Sequence, residues 1–297
     1  MKILICGNEF HENALSGVQQ LLCYLLQSDV EIAVEQGYAA YLQTVLPQFS
    51  PLPVADSAQA IAVDVVLSIG GDGTFLRTVQ SVAFRSIPIM GVNAGHLGYL
   101  TTVDITHAID AVKCLCKGDY DVEERTMLQL MLPAGQSLSR HFALNEVSIL
   151  RKDTSSTIQV DVSLDGVALT TFKGDGLILS TPTGSTAYNL SVGGPIVHPL
   201  SPCFVLAPIS PHALTMRPVV YGDSSMLRVT ARSRASVFQV SVDGESFDLP
   251  SGTTMRIAKA PFTTRVIMLK GQHFARVLRN KLMWGRDNRG EEDFFRS

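Results

Sequence analysis

The chain has 297 residues, 46% of them apolar and 17% charged, with a formal net charge of −3. That length can bury a core large enough for two domains, and the composition excludes a disordered chain. The charge offers no electrostatic reason for a nucleic-acid scaffold, although a local Lys/Arg cluster can still hold a phosphate.

Read in chain order, the opening Met1-Lys2-Ile3-Leu4-Ile5-Cys6-Gly7 is a first strand rather than a leader. The spacing then predicts a helix over Leu15 to Gln27, a strand over Glu31 to Val34 and a helix over Tyr38 to Leu46 that stops before Pro47. The Pro/Ala/Ser stretch from Pro47 to Ala60 reads as containing a loop. Val63 to Ile69 is an apolar strand, and Phe75 to Ala83 is predicted helical. Pro88 to Val92 forms a fourth strand, and a helix near His107 to Lys117 closes the unit. Strands alternating with helices predict an α/β N-terminal domain over residues 1–125 with a mostly parallel sheet and ligands at its carboxyl edge.

After residue 126 the rhythm changes to short alternating stretches: Met127 to Leu132, His141 to Leu150, Thr157 to Leu164, Gly176 to Ser180, Met226 to Thr230 and Ser236 to Val242. Asp165-Gly166 and Asp243-Gly244 fit hairpin turns between them. A mainly β C-terminal domain over 126–270 follows. Gln272 to Met283 has helical spacing, so 271–297 is expected to be a helical segment packing on the first domain. No stretch approaches the length of a membrane span. The five cysteines include no Cys-x-x-Cys pair, which suits reduced thiols in a cytoplasmic protein and argues against zinc.

The chemistry concentrates in three places. Gly70-Gly71-Asp72-Gly73-Thr74 follows the buried-type strand directly. Glycines let a backbone turn sharply and approach a phosphate. A carboxylate there repels phosphate unless it binds a metal or takes a proton from an incoming hydroxyl. Asp72 is therefore a candidate base, with an Asp accepting local hydrogen bonds in a glycine turn as the alternative. Arg77, five residues on, can reach phosphate or simply be a solvated helix residue. In Leu144-Asn145-Glu146-Val147, Asn145 can read adenine or ribose and Glu146 can bind ribose hydroxyls, or the pair can mark a strand end. Lys173-Gly174-Asp175-Gly176 precedes a polar run through Tyr188. Lys173 supplies charge, Asp175 accepts hydroxyls and the Ser/Thr/Gly segment offers a hydrogen-bonding wall; a plain turn and loop is the other reading.

Taken together, these segments resemble the NAD kinase family. The resemblance rests on Gly70–Thr74, on Gly91-Val92-Asn93-Ala94-Gly95-His96-Leu97-Gly98-Tyr99-Leu100, on Asn145-Glu146, and on Gly174 through Tyr188. It continues through Asn189-Leu190-Ser191-Val192-Gly193-Gly194-Pro195 and Pro211-His212-Ala213-Leu214, in family order, over roughly residues 1 to 275. It implies a two-domain, cytoplasmic enzyme that phosphorylates the adenosine-ribose 2′-hydroxyl of NAD to give NADP. ATP, other nucleoside triphosphates or polyphosphate would be the donor, with a divalent cation, Mg²⁺, bridging the donor phosphates. It further implies a homodimer or homotetramer that engages neither nucleic acid nor membrane.

The site implied by the resemblance has Asp72 as proton acceptor and Gly73 against the dinucleotide. Asn145 and Glu146 would bind NAD in an interdomain cleft, and Asp175 would recognise the far end of the dinucleotide. Thr186, Ala187 and Ser191 form the adenine and ribose wall, with Tyr188, Asn189 and Leu190 within it. Lys173 stands where many members carry arginine, keeping the charge but losing the bidentate fork. Glu245 aligns with a further ligand-facing position, and the Arg151-to-Thr157 region, here with Ser155 and Ser156, with a basic or aromatic contact. No residue of the chain is expected as a resident metal ligand. Lipid kinases of the diacylglycerol or sphingosine type share the first motif but explain Asn145-Glu146 and the Thr186–Ser191 segment poorly. A non-catalytic dinucleotide sensor is the other alternative, against which the intact Asp72 argues.

Overall fold

The computed structural model describes residues 1–10, 12–55, 62–95, 98–136, 138–153 and 157–283. Ser155 and Ser156 lie outside the described residues, as do His96 and Leu97 of the second motif. Two compact units are present: Met1–Phe75, Ile89–Val122 and the chain from Ile267 onward form one, Leu76–Pro88 and Glu123–Val266 the other.

In the first unit the elements run β1 (Lys2–Gly7), α1 (Glu12–Gln27), β2 (Glu31–Glu35), α2 (Gln36–Val45), β3 (Val54–Ala55), β4 (Val65–Gly70), the first turn of α3 (Asp72–Val82), whose remainder from Leu76 counts with the second unit, β5 (Ile89–Asn93), β6 (Val103–Asp104) and α4 (Ala108–Lys117). The strands pair in parallel in the order β6-β5-β4-β1-β2-β3. Strand β4 is buried along its whole length, as an apolar run interrupted only by the buried Ser68 demands of a strand covered on both faces. Val18, Leu21, Leu22 and Leu25 of α1 share one core with Ile3, Ile5, Leu67 and Val92 of the sheet. Helix α1 leads to β2 and α3 to β5, so the sheet reverses its winding between β1 and β4, where ligands of such folds bind.

One boundary differs from the periodicity in a way that matters. Helix α3 begins at Asp72, not Phe75. The Gly71 carbonyl accepts from Thr74 N (3.0 Å) and Phe75 N (3.1 Å), so the glycine run passes straight into the helix. Gly70 makes the turn at φ 152°, where a Cβ would stand 2.5 Å from the Thr74 hydroxyl; only glycine fits.

The second unit adds β7 (Tyr120–Met131), β8 (Phe142–Ala143), β9 (Glu146–Leu150), β10 (Ile158–Leu164), β11 (Val167–Gly174), β12 (Gly176–Ser180), α5 (Tyr188–Ser191), β13 (Cys203–Ile209), β14 (Val219–Gly222), β15 (Leu227–Ser233), β16 (Val237–Val242), β17 (Glu245–Pro250) and β18 (Thr254–Leu269), the last running on into α6 (Phe274–Leu282) of the first unit. One sheet is antiparallel in the order β14-β13-β12-β9-β16-β17. A second carries β11-β10-β15-β18, also antiparallel. Val147, Leu177, Phe204 and Phe238 of the first sheet share a core with Val160, Val229 and Met255 of the second. Buried and open positions alternate along β10, β15 and β16, the signature of strands with one packed face. Asp165-Gly166 and Asp243-Gly244 all have positive φ and close the β10–β11 and β16–β17 hairpins as their turn chemistry predicts. Among the described residues, no helix is long and apolar enough to cross a membrane.

Candidate active site

The first unit holds one functional cluster. Asp72, at the first residue of α3, turns its carboxylate onto the segment Gly98–Thr101. Its Oδ2 accepts from Tyr99 N at 2.6 Å. Its Oδ1 accepts from Leu100 N (3.0 Å), Thr101 N (3.2 Å) and the Thr101 hydroxyl (3.2 Å). The packing leaves no room for a side chain at residue 98, since a Cβ on Gly98 would lie 2.0 Å from Asp72 Oδ1. Lys281 of α6 grips the same segment from its other side, donating to the Gly98 carbonyl and to Thr101 O at 3.1 Å. Burial lowers the ammonium's pKa, and the charge on Asp72 opposes that shift. Gly73 is open, with nothing within 4 Å of an added Cβ; Arg77, further along α3 and counted with the second unit, is exposed.

The second unit holds most of the remaining candidates, and of these Tyr188 bonds to the 144–146 segment through Glu146. Asn145 lies between β8 and β9, outside both strands, so the expected single strand over His141 to Leu150 is broken there. The break is held by Asp243 at the β16–β17 turn, whose carboxylate accepts from Leu144 N (2.7 Å), Asn145 N (2.8 Å) and Glu146 N (3.1 Å). Burial pushes the Asp243 carboxyl up to about 6, against the pull of those three amides and of Arg140. On the opposite side Thr181 N donates to Asn145 O at 2.9 Å, and Gly184 packs so closely that a Cβ would sit 2.1 Å from that oxygen.

The Glu146 side chain is different. Burial, then the nearby Asp243, raise its carboxyl to about 8, while a hydrogen bond from the Tyr188 backbone N–H works the other way. Glu146 Oε2 and Asn145 Oδ1 are both buried with no hydrogen-bond partner. Buried acceptors are seldom left so, because each forfeits its hydration without return. A ligand bearing hydroxyl or amino donors would satisfy both.

The polar run after β12 is folded rather than loose. Thr183–Thr186 makes a 3₁₀ turn and Tyr188–Ser191 the short α5. Thr186, Ala187 and Leu190 are half-buried, and Tyr188 and Ser191 exposed. Asn189 is fully buried and donates from Nδ2 to Ser185 O and Pro195 O, both at 3.1 Å; it ties α5 to the chain on either side of it. Two other candidates carry side-chain partners of their own. Asp175 pairs with Arg151 at 2.7 Å, and Glu245 with Arg140 at 3.0 Å. Lys173 is exposed on β11, its carbonyl receiving His212 N.

Sequence reasoning missed Asp243, Arg140, Thr101 and Lys281. Asp243 was visible only as half of an Asp-Gly turn, and Lys281 only as one cation in an amphipathic stretch. Buried Arg125 was missed as well; it pairs with Glu123 and donates to the Thr183 hydroxyl at 3.3 Å. Among the described residues no group of three or more His, Cys, Asp or Glu side chains could hold a metal ion. The donors around Asp72 are N–H and O–H groups, which suit a carboxylate accepting hydrogen bonds and not one ligating a cation.

Comparison with known proteins gives the family and the fold. The chain matches the ATP-NAD kinase N-terminal domain over residues 3–120 and the ATP-NAD kinase C-terminal domain over residues 144–269. It is 37% identical over 284 residues to an NAD kinase of Porphyromonas gingivalis, covering 96% of this chain and 98% of that one. An NAD kinase of Bacteroides fragilis is also 37% identical, over 289 residues, with 97% and 100% covered. Among solved structures, yeast NADH kinase complexed with NADH has the same fold, with a TM-score of 0.88 at 24% identity over 98% of this chain and 90% of that one. An Archaeoglobus fulgidus NAD kinase in complex with ATP gives a TM-score of 0.73 at 25% identity, with 95% and 98% covered.

Proposed function

The chain belongs to the NAD kinase family, and we propose that its reaction, phosphorylation of NAD with ATP, places the new phosphate on the 2′-hydroxyl of the adenosine ribose. Asp72 takes the hydroxyl proton. As the proton leaves, the ribose oxygen forms a bond to the γ-phosphorus, the bond from that phosphorus to the bridging oxygen breaks, and its electron pair departs with ADP. A ribose hydroxyl is a poor nucleophile, so removal of its proton and alignment with the donor supply the rate. The divalent cation, which we assign as Mg²⁺, arrives with the donor phosphates as part of that substrate. No chain carboxylate is asked to hold it.

The observation carrying the substrate assignment is the pair of orphaned buried acceptors, Asn145 Oδ1 and Glu146 Oε2. We assign them to the donor groups of NAD. Thr186, Ala187 and Tyr188 through Ser191 form the wall beside them, and Gly73 admits the dinucleotide backbone. Arg77 and Lys173 supply positive charge near phosphates, and Asp175 and Glu245 act with their arginine partners at the ends of the ligand. The same reading divides the chain at about residues 125 and 270 and makes it a cytoplasmic homodimer or homotetramer; polyphosphate is a second candidate donor. The five free cysteines suit a reducing compartment.

The test is Mg²⁺-dependent conversion of NAD to NADP with ATP or polyphosphate, with Asp72→Asn purified in parallel. NADP from the wild type and none from the folded variant is the expected result. A folded wild type that makes no NADP with either donor would overturn the reading.

A further inference from the structure

The Gly98–Thr101 segment lies between opposite charges. Its amides at 99, 100 and 101 point at the Asp72 carboxylate, and its carbonyls at 98 and 101 point at the Lys281 ammonium. Peptide dipoles in that orientation are favourable at both ends, and each hydrogen bond polarises the next. A second side chain fastens the same stretch: Gln272 donates to Thr102 O at 3.2 Å and accepts from Leu269 N at 3.1 Å. Leu278, buried on α6, anchors the helix that carries Lys281.

The distribution of donors on Asp72 is uneven. A carboxylate oxygen offers about two lone-pair sites. Among the described residues Oδ1 receives three donors and is saturated, whereas Oδ2 receives only Tyr99 N. One acceptor site therefore remains, on Oδ2.

We propose that Lys281 is a positioning residue for phosphoryl transfer: by holding the carbonyls of Gly98 and Thr101 it keeps three amides on Asp72, saturates Oδ1 and leaves Oδ2 as the oxygen that receives the ribose hydroxyl proton. This rests on Asp72 being the base. The proton moves from the hydroxyl to Oδ2 while the ribose oxygen bonds to the γ-phosphorus and ADP leaves with the bridging electron pair; Lys281 itself exchanges no proton and touches no substrate. Without its charge the segment swings, the carboxylate loses its fixed rotation, and the reacting geometry is lost at unchanged dinucleotide affinity.

The experiment compares wild type, Lys281→Met and Lys281→Arg by steady-state kinetics and by residue-resolved amide hydrogen exchange. Lys281→Met should lower kcat on the order of 10- to 100-fold, the scale of a small misplacement of reacting groups. Its KM for NAD should stay within about twofold, and the amides of Tyr99, Leu100 and Thr101 should exchange faster. Lys281→Arg, which keeps charge and reach, should recover most of kcat and of the protection. Unchanged protection at 99–101 in Lys281→Met overturns the clamp whatever the turnover. Faster exchange with unchanged kcat overturns its link to transfer, and an Arg variant as slow as Met with protection intact overturns the role of charge. Wild-type NADP formation in the same preparations separates these failures from failure of the kinase reading.

Discussion

Two carboxylates in this protein, one in each unit, are treated in opposite ways. Asp72 accepts three amides and a hydroxyl before any substrate is bound. Glu146 is half-buried, with its Oε2 atom buried and unpartnered and its carboxyl raised to about 8. The first is a group whose position has been settled by the chain. The second, in the proposed function, is a group whose stabilisation is deferred to a ligand. A proton acceptor profits from being held in one orientation, because reacting atoms must meet in line. A recognition group profits from an unmet hydrogen bond, because the correct ligand gains what the empty site lacks and a ligand without the donor gains nothing.

That contrast can be broken in several ways. The largest effect should follow from Asp72→Asn, which keeps the size but removes the proposed base. We expect kcat to fall about 10²- to 10⁴-fold, with a far-ultraviolet spectrum like the wild type's. Next comes Asp243→Ala, which strands three buried amides at residues 144–146. Denaturant unfolding should show a loss of about 3–5 kcal/mol, and NAD binding should fail with it. Asp243→Asn should lose less, since one acceptor oxygen survives.

Glu146→Gln should weaken NAD binding roughly 10- to 100-fold. It also gives the contrast a pH signature. The folded, empty protein holds a proton on Glu146 that an unfolded chain, at the ordinary value of 4.5, releases. The associated stability is fully present below that value and is lost as pH rises through about 8. Ligand hydroxyls donate to the ionised carboxylate, so NAD affinity should strengthen with pH over the same window. Calorimetry from pH 6 to 9 should show that slope in the wild type and a flatter one in Glu146→Gln. The smallest effect is expected from Lys173→Ala. This exposed residue of β11 should change the KM for NAD by less than about fivefold, within the range of a solvated charge.

What could be read from the sequence follows the range of the interactions concerned. The Gly70–Thr74 turn is local: an apolar strand, a glycine that must take positive φ and a helix start all lie within a dozen residues. Asp72 was therefore legible as a candidate, although its N-terminal place in α3 was not, because the Gly71 carbonyl caps the helix three residues before the periodic apolar pattern begins. The hairpins at Asp165-Gly166 and Asp243-Gly244 were legible for the same reason. The exposed strand β14 shows no burial alternation and gave no signal. The supports of the site were also hidden. Asp243 reaches Glu146 across 97 residues, and Lys281 reaches Gly98 across 183. Such pairings come from the sheet topology, not from spacing. Nor does the motif show that Glu146 Oε2 is left without a partner, since that depends on how closely Gly184 and Asp243 pack around residues 144–146.

The most direct test of the division of labour measures NAD affinity and single-turnover transfer separately, in Asp72→Asn and Glu146→Gln. Asp72→Asn should bind NAD like the wild type and transfer almost nothing. Glu146→Gln should bind weakly yet, once saturated, transfer at close to the wild-type rate. An Asp72→Asn protein that fails to bind NAD, or a saturated Glu146→Gln protein that fails to transfer, would contradict the account.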